Sequence, residues 1–266
     1  MHLHRHWRDR PRRARGAIFA VGAFDGVHRG HRAILANARA VADRQGAALI
    51  VAGPPLAGTE LTPLRVKSRL LRDCGADALW LLRGADYDAA TFVERTLRDE
   101  CAAAAVLRDD EWDAAATSAG IRAYLGAGDV TGAAALLGRP YEIVGRVRDG
   151  RRLGRTIGFP TANLRLGSAV RPAFGVYAVR ASTPDGRLGG RGGVANIGVR
   201  PTVDGATELL EAHLFDWAGD LYGRQLCVEL VAFLRAERRF AGIDELKAQI
   251  ARDAADARVA LAARPA

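Results

Sequence analysis

Between Gly150 and Asn163 the chain reads GRRLGRTIGFPTAN. Gly150, Gly154 and Gly158 recur at every fourth position, with Arg151, Arg152 and Arg155 between them. Glycines let a backbone approach a phosphate closely and turn successive N–H groups toward it. Arginines match phosphate oxygens in charge and shape. Phe159-Pro160 then fixes the chain, and Thr161 and Asn163 follow two apart, so in an extended segment their hydroxyl and amide share one face. Oxygen donors beside a phosphate cradle suit a magnesium–nucleotide complex. The pattern GxxxxGK[ST] is absent, so this is a phosphate site of another kind.

A second constellation is GAFDGVHRGH, Gly22 to His31. His28 and His31 stand three apart at the start of a periodic segment, Arg32–Arg44, that reads as a helix. Two imidazoles at a helix N-terminus are placed to hold nucleotide phosphates and to stabilise charge on a transferred group. A third candidate is Glu211, which on a strand shares a face with His213 and Phe215. Taken alone, Glu211 reads more readily as a surface carboxylate and His213 as a structural histidine bonded to backbone.

The elements that must position these residues fall into two patterns. Ala17–Val21 is an apolar run ending at Gly22, and it reads as a buried parallel strand. Strands at Ala47–Ala52, Ala78–Leu82 and Ala102–Leu107 alternate with helices at Pro63–Cys74 and Ala90–Glu100, which predicts a doubly wound parallel sheet. Leu136 to Pro140 (LLGRP) marks a helix end and a linker. From Tyr141 the pattern changes to short strands: Glu142–Arg148, Val176–Ala181, Arg191–Ile197, Glu208–Phe215 and Gln225–Ala232. A helical segment, Ile243–Leu261, follows, so a closed antiparallel barrel with a terminal helix is expected. The expected divisions are 1–16, 17–138 and 139–266.

GRTIGFPTAN, GVANIGVRPT (Gly193–Thr202), EAHLFDW (Glu211–Trp217) and DLYG (Asp220–Gly223) resemble, in order, the riboflavin kinase module of the bacterial bifunctional riboflavin kinase/FAD synthetases. GAFDGVHRGH resembles the nucleotidyltransferase motif of their FAD synthetase module, with Gly22, Phe24, Asp25, Gly26, His28, Gly30 and His31 in register. The resemblance implies an α/β Rossmann-like nucleotidyltransferase domain followed by a six-stranded antiparallel β-barrel with a terminal helix. It implies ATP- and Mg2+-dependent phosphorylation of riboflavin to FMN. Thr161 and Asn163 would serve the metal and the ATP phosphates. Gly150, Gly154, Arg155 and Gly158 would lie in a phosphate flap, and Glu211 would be the catalytic base. Asn196 and Arg200 fit a turn near the site, with no role assigned.

The first half departs from that family. After the second strand the chain reads AGPPL (Ala52–Leu56) where relatives carry FDPHP. Val106–Trp112 (VLRDDEW) is a remnant of a longer loop, several tens of residues are missing before Thr117, and the family's SSTxIR turn appears as TSAGIR (Thr117–Arg122). Adenylyl transfer needs two pockets held in line, and misplacement of about 1 Å costs on the order of a hundredfold in rate. FMN adenylyltransferase activity is therefore expected to be weak or lost. Retention of both activities is the alternative, favoured by His28 and His31. A third reading, a non-catalytic flavin or nucleotide sensor, predicts loss of Glu211 or of Thr161 and Asn163, and all three are present.

The net charge is +9, and residues 1–16 hold six arginines and one aspartate. That stretch reads as a basic, disordered tail. Nucleic acid is not an expected partner, and the remaining charge suits a protein that handles anionic nucleotides. Cys74, Cys101 and Cys227 are odd in number and widely spaced, which argues against a disulfide framework and for buried thiols in a reducing cytoplasm. The apolar runs are far shorter than the roughly 18 residues of a membrane span.

Overall fold

The computed structural model describes residues 1–4, 14–56, 58–82, 92–108, 117–148, 158–202 and 205–264. The chain divides into two compact units, Met1–Ser118 and Ala119–Ala266.

The first unit is a five-stranded parallel sheet in the order β1-β4-β3-β2-β5. Its strands are β1 (His2–His4), β2 (Ile18–Val21), β3 (Leu49–Gly53), β4 (Ala78–Leu81) and β5 (Ala105–Arg108). Its helices are α1 (Arg29–Gln45), α2 (Leu64–Asp73) and α3 (Phe92–Glu100), the last wound at the wider π pitch. The sequences IFAV and LIVAG are buried at every position, as strands covered on both faces require. Phe19 meets Trp80 edge to face at 5.3 Å between centroids, within a core that includes Ile50, Leu82, Phe92 and Leu97. Gly53 runs against the end of β2: a Cβ there would stand 1.8 Å from the Gly22 carbonyl oxygen.

The structure differs from the sequence reading at the N-terminus. His2–His4 pairs in parallel with Ala78–Trp80, and Ala14 is buried in the core. An apolar Leu3 between two histidines was too short a pattern to separate from the arginine-rich residues after it. The buried-thiol expectation also holds only for Cys101, because Cys74 and Cys227 are half-buried; none of the three is in a disulfide.

The second unit takes in α4 (Ser118–Gly126) beyond its first residue, Ser118, and α5 (Val130–Leu137), where the sequence placed them in the first domain. They join the barrel for physical reasons. Gly128, at a φ of +79°, packs on the Phe233 ring, and the Ala173 N–H donates to the Leu125 carbonyl. Asp129 caps α5, accepting from the Gly132 N–H at 2.7 Å.

Six antiparallel strands follow: β6 (Tyr141–Arg146), β7 (Ala162–Arg165), β8 (Gly175–Ser182), β9 (Arg191–Thr202), β10 (Gly205–Leu214) and β11 (Gln225–Ala236). Their order is β6-β11-β8-β9-β10-β7. Among the described residues the sheet closes through one antiparallel bridge, in which the Arg148 N–H donates to the Asn163 carbonyl at 2.9 Å. β7 is a strand that the sequence reading did not single out. The helix α6 (Ile243–Ala262) lays Ala257 against Val176, Ala178, Val194 and Phe215. Arg235 of β11 grips Asp253 of α6 through Nε at 2.8 Å and Nη2 at 2.7 Å.

Candidate active sites

In the barrel, Asn163 lies directly across from Glu211 in the β7–β10 ladder, and Asn196 lies directly across from Glu211 in the β9–β10 ladder. Antiparallel partners share a sheet face, so the three polar side chains form a row around the candidate base. Arg200 reaches this row and donates to Glu211 Oε2 through Nε at 3.1 Å and Nη2 at 2.7 Å. Burial works against the Arg200 charge, but the hydrogen bond and charge of Glu211, aided by Glu237, outweigh it and raise its pKa. The Glu211 side chain is 26% exposed, open enough to meet a substrate.

A cavity of about 380 Å³ opens beside this row. Thr161, Asn163, Leu214, Trp217, Asp220 and Tyr222 are among its lining residues. Glu211 is not on its wall, although its neighbour Ala212 is. Asn163 both borders the cavity and stands across from Glu211 in the ladder. His213 fixes the turn that leads into β7: its Nδ1 lies 2.9 Å from the Pro160 carbonyl, and its ring meets Phe159 at 5.3 Å. That carbonyl can only accept, so Nδ1 carries the proton. Gly158 takes a φ of +86°, while Gly150, Gly154 and Arg155 lie outside the described residues. Neither the Thr161 hydroxyl nor the Asn163 amide is engaged by another side chain among the described residues. They offer hard oxygen donors suited to Mg2+ shared with substrate phosphates. No cluster of three His, Cys, Asp or Glu among the described residues competes for a metal.

In the first unit the turn Gly22–His31 is held against strain. Phe24 and Val27 take φ of +45° and +42°, a region that side chains rarely adopt, and both are fully buried. Hydrogen bonds from several elements pin the turn. Asp25 Oδ1 accepts from the Leu61 and Thr62 N–H groups at 2.8 and 3.3 Å. The Gly26 N–H donates to Thr62 Oγ1 at 3.0 Å, Lys67 Nζ to the Ala23 carbonyl at 3.0 Å, and Ser118 Oγ to the Asp25 carbonyl at 2.8 Å. His28 caps α1, its Nδ1 accepting from the His31 N–H at 3.4 Å, and the two imidazoles stack at 3.6 Å. Burial, then the charges of His28 and Lys67, hold the His31 pKa down at about 3, so the ring is neutral at physiological pH. Sequence reasoning passed over Lys67, Thr62 and Ser118. Lys67 is one of only two lysines in the chain, which was the signal available in the sequence; the structure shows it buried.

The riboflavin kinase family model matches residues 137–261, and the FAD synthetase family model matches residues 10–126. The bifunctional riboflavin kinase/FMN adenylyltransferase of Escherichia coli (strain K12) is 37% identical over 292 residues, covering 91% of this chain and 92% of its own. The enzymes of that name from Haemophilus influenzae and Bacillus subtilis are 34% and 31% identical, over 90% and 91% of this chain and 92% and 91% of theirs. The E. coli alignment, at 292 residues, is longer than the 266-residue chain, so this chain lacks segments that the relative has. The solved structure of the macrolide-efflux protein from Streptococcus pneumoniae superposes with a TM-score of 0.76 at 25% identity, over 90% of this chain and 92% of its own. Among the described residues no helix is long and apolar enough to cross a membrane. The chain belongs to the bifunctional riboflavin kinase/FMN adenylyltransferase family, with a FAD synthetase domain at its N-terminus and a riboflavin kinase domain, which phosphorylates riboflavin with ATP, in its barrel.

Proposed function

We propose that Glu211 is the general base of the riboflavin kinase reaction and that Thr161 and Asn163 hold Mg–ATP beside it. The observation that carries this reading is the register of β7 and β10, which sets Asn163 across from Glu211. ATP binds at the cavity that Thr161 and Asn163 line, with Gly150, Gly154, Arg155 and Gly158 as further phosphate-binding residues. Riboflavin presents its terminal ribityl hydroxyl to Glu211. The carboxylate takes the hydroxyl proton as that oxygen attacks the γ-phosphorus, the bond to the β-phosphate oxygen breaks, and FMN and ADP result. Phosphoryl transfer asks a protein mainly to position the reactants and to offset charge. Bound Mg2+ supplies charge neutralisation on the phosphates. A base at the attacking hydroxyl contributes about 10²–10⁴-fold.

A second reading adds adenylylation of FMN to FAD in the first unit. It is supported by the pinned turn and by His28 and His31 at the start of α1, where phosphates bind helix N–H groups. Against it stand the segments absent from this chain, and the reaction is expected to be slow. Purified protein incubated with riboflavin, ATP and Mg2+, followed by chromatography of the flavins, tests both readings. Accumulation of FMN with little FAD is expected. Conversion of FMN onward to FAD establishes the second activity, and unchanged riboflavin refutes the kinase assignment.

A further inference from the structure

Arg200 places both of its hydrogen bonds to Glu211 on one oxygen, Oε2. A guanidinium gripping a carboxylate fork to fork takes both oxygens. Here Oε1 receives no hydrogen bond among the described residues. A carboxylate base needs one oxygen with a lone pair open to the hydroxyl and benefits from having the other held still.

Arg200 is itself held from behind. Asn196, Gly198 and Arg200 are two apart on β9 and share a face. Asn196 Nδ2 donates to Glu237 Oε1 at 2.9 Å, and Arg200 Nη1 lies 3.7 Å from that same oxygen. Between them Gly198 leaves the space that Glu237 occupies: a Cβ there would stand 2.1 Å from Glu237 Oε1. The spacing Asn-x-Gly-x-Arg therefore builds one device in which Glu237 braces the guanidinium that meets Glu211.

We infer that Arg200 is a positioning residue for riboflavin phosphorylation, fixing Glu211 Oε2 so that Oε1 accepts the proton of the attacking hydroxyl. The inference rests on the reading of Glu211 as the base. The hydroxyl proton passes to Oε1, the new O–P bond forms and the bond to the departing ADP breaks, while Arg200 keeps its own protons throughout.

The test is steady-state FMN formation by the full chain with riboflavin and Mg–ATP varied separately, for Arg200→Met, Arg200→Lys, Glu211→Gln and the double variant Arg200→Met/Glu211→Gln. Arg200→Met is expected to lower kcat about 10–100-fold, with both KM values within about threefold of wild type. Arg200→Lys, which keeps the charge, recovers part of that loss. In the Glu211→Gln background Arg200→Met changes kcat by less than about twofold, because it acts through the carboxylate. An equal loss in both backgrounds overturns the inference, as does an unchanged kcat with a raised KM for ATP, which marks a phosphate ligand. A Glu211→Gln enzyme within about threefold of wild-type kcat overturns the base assignment itself, a failure separate from that of Arg200. Melting temperatures identify any variant whose loss comes from unfolding.

Discussion

Asn163 and Glu211 stand opposite each other across the β7–β10 ladder, so a residue that lines the cavity and the candidate base are tied by backbone pairing. The same Asn163 closes the barrel through its carbonyl, which leaves its side chain free to be changed without breaking the bridge to Arg148. Asn163→Leu keeps the branched four-atom shape of the side chain and removes the oxygen donor. It is expected to lower kcat/KM for Mg–ATP about 10²-fold in steady-state assays of FMN formation, with little change in melting temperature.

His31 sets an acid limit on the first unit. Its pKa is about 3 in the folded protein, against an ordinary value of 6.5, so the unfolded chain binds more protons between those values. Stability from this group is complete above pH 6.5 and falls as pH drops toward 3, by up to about 1.4 kcal/mol per pH unit. In denaturant titrations at a series of pH values, His31→Asn should flatten that slope. An unchanged slope would mean that another group carries the acid sensitivity.

Lys67 is buried beneath the histidine turn and donates to the Ala23 carbonyl. Lys67→Met preserves the length of the side chain and removes the charge. ATP binding by the first unit should weaken, by about tenfold for the loss of one charged contact. FMN formation in the barrel should stay within about twofold of wild type, since the catalytic groups proposed for it lie in the other unit. Calorimetric ATP titration and the kinase assay on one preparation check both halves.

Asp253 anchors α6 to the barrel, accepting from Arg235 and from Gln249 Nε2 at 2.8 Å, with its side chain only 5% exposed. Asp253→Ala leaves Arg235 without its partner in a mostly buried place. A loss of about 3 kcal/mol is expected in thermal or chemical denaturation. A change below about 0.5 kcal/mol would mean that apolar packing around Ala257 holds the helix unaided.

Much of this arrangement was legible in the residues. The alternation of short apolar runs with periodic segments announced the parallel sheet, and His28 and His31 marked the entry to α1, though not that His28 caps it. Thr161 and Asn163 were marked by type and spacing, and Glu211 by the resemblance that EAHLFDW carries. The rest depends on pairings that no local pattern encodes. β7 hides in a stretch dominated by Gly, Pro and Thr, and becomes a strand only because β10 pairs with it. The Arg200–Glu211 pair spans 11 residues and two strands, and its meaning rests on Glu237, which arrives from beyond β11. β1 is three residues long and finds its partner β4 more than 70 residues away. Helices α4 and α5 carried no sign of which unit they would join until Gly128 was seen against Phe233.

The decisive experiment compares the wild-type chain with Glu211→Gln at saturating riboflavin and Mg–ATP, following FMN by its separation from riboflavin. A loss of about 10²–10⁴-fold in kcat, with KM values and melting temperature close to wild type, is the result that a general base at Glu211 requires. A kcat within about threefold of wild type would contradict it and send the search for the base elsewhere on the barrel.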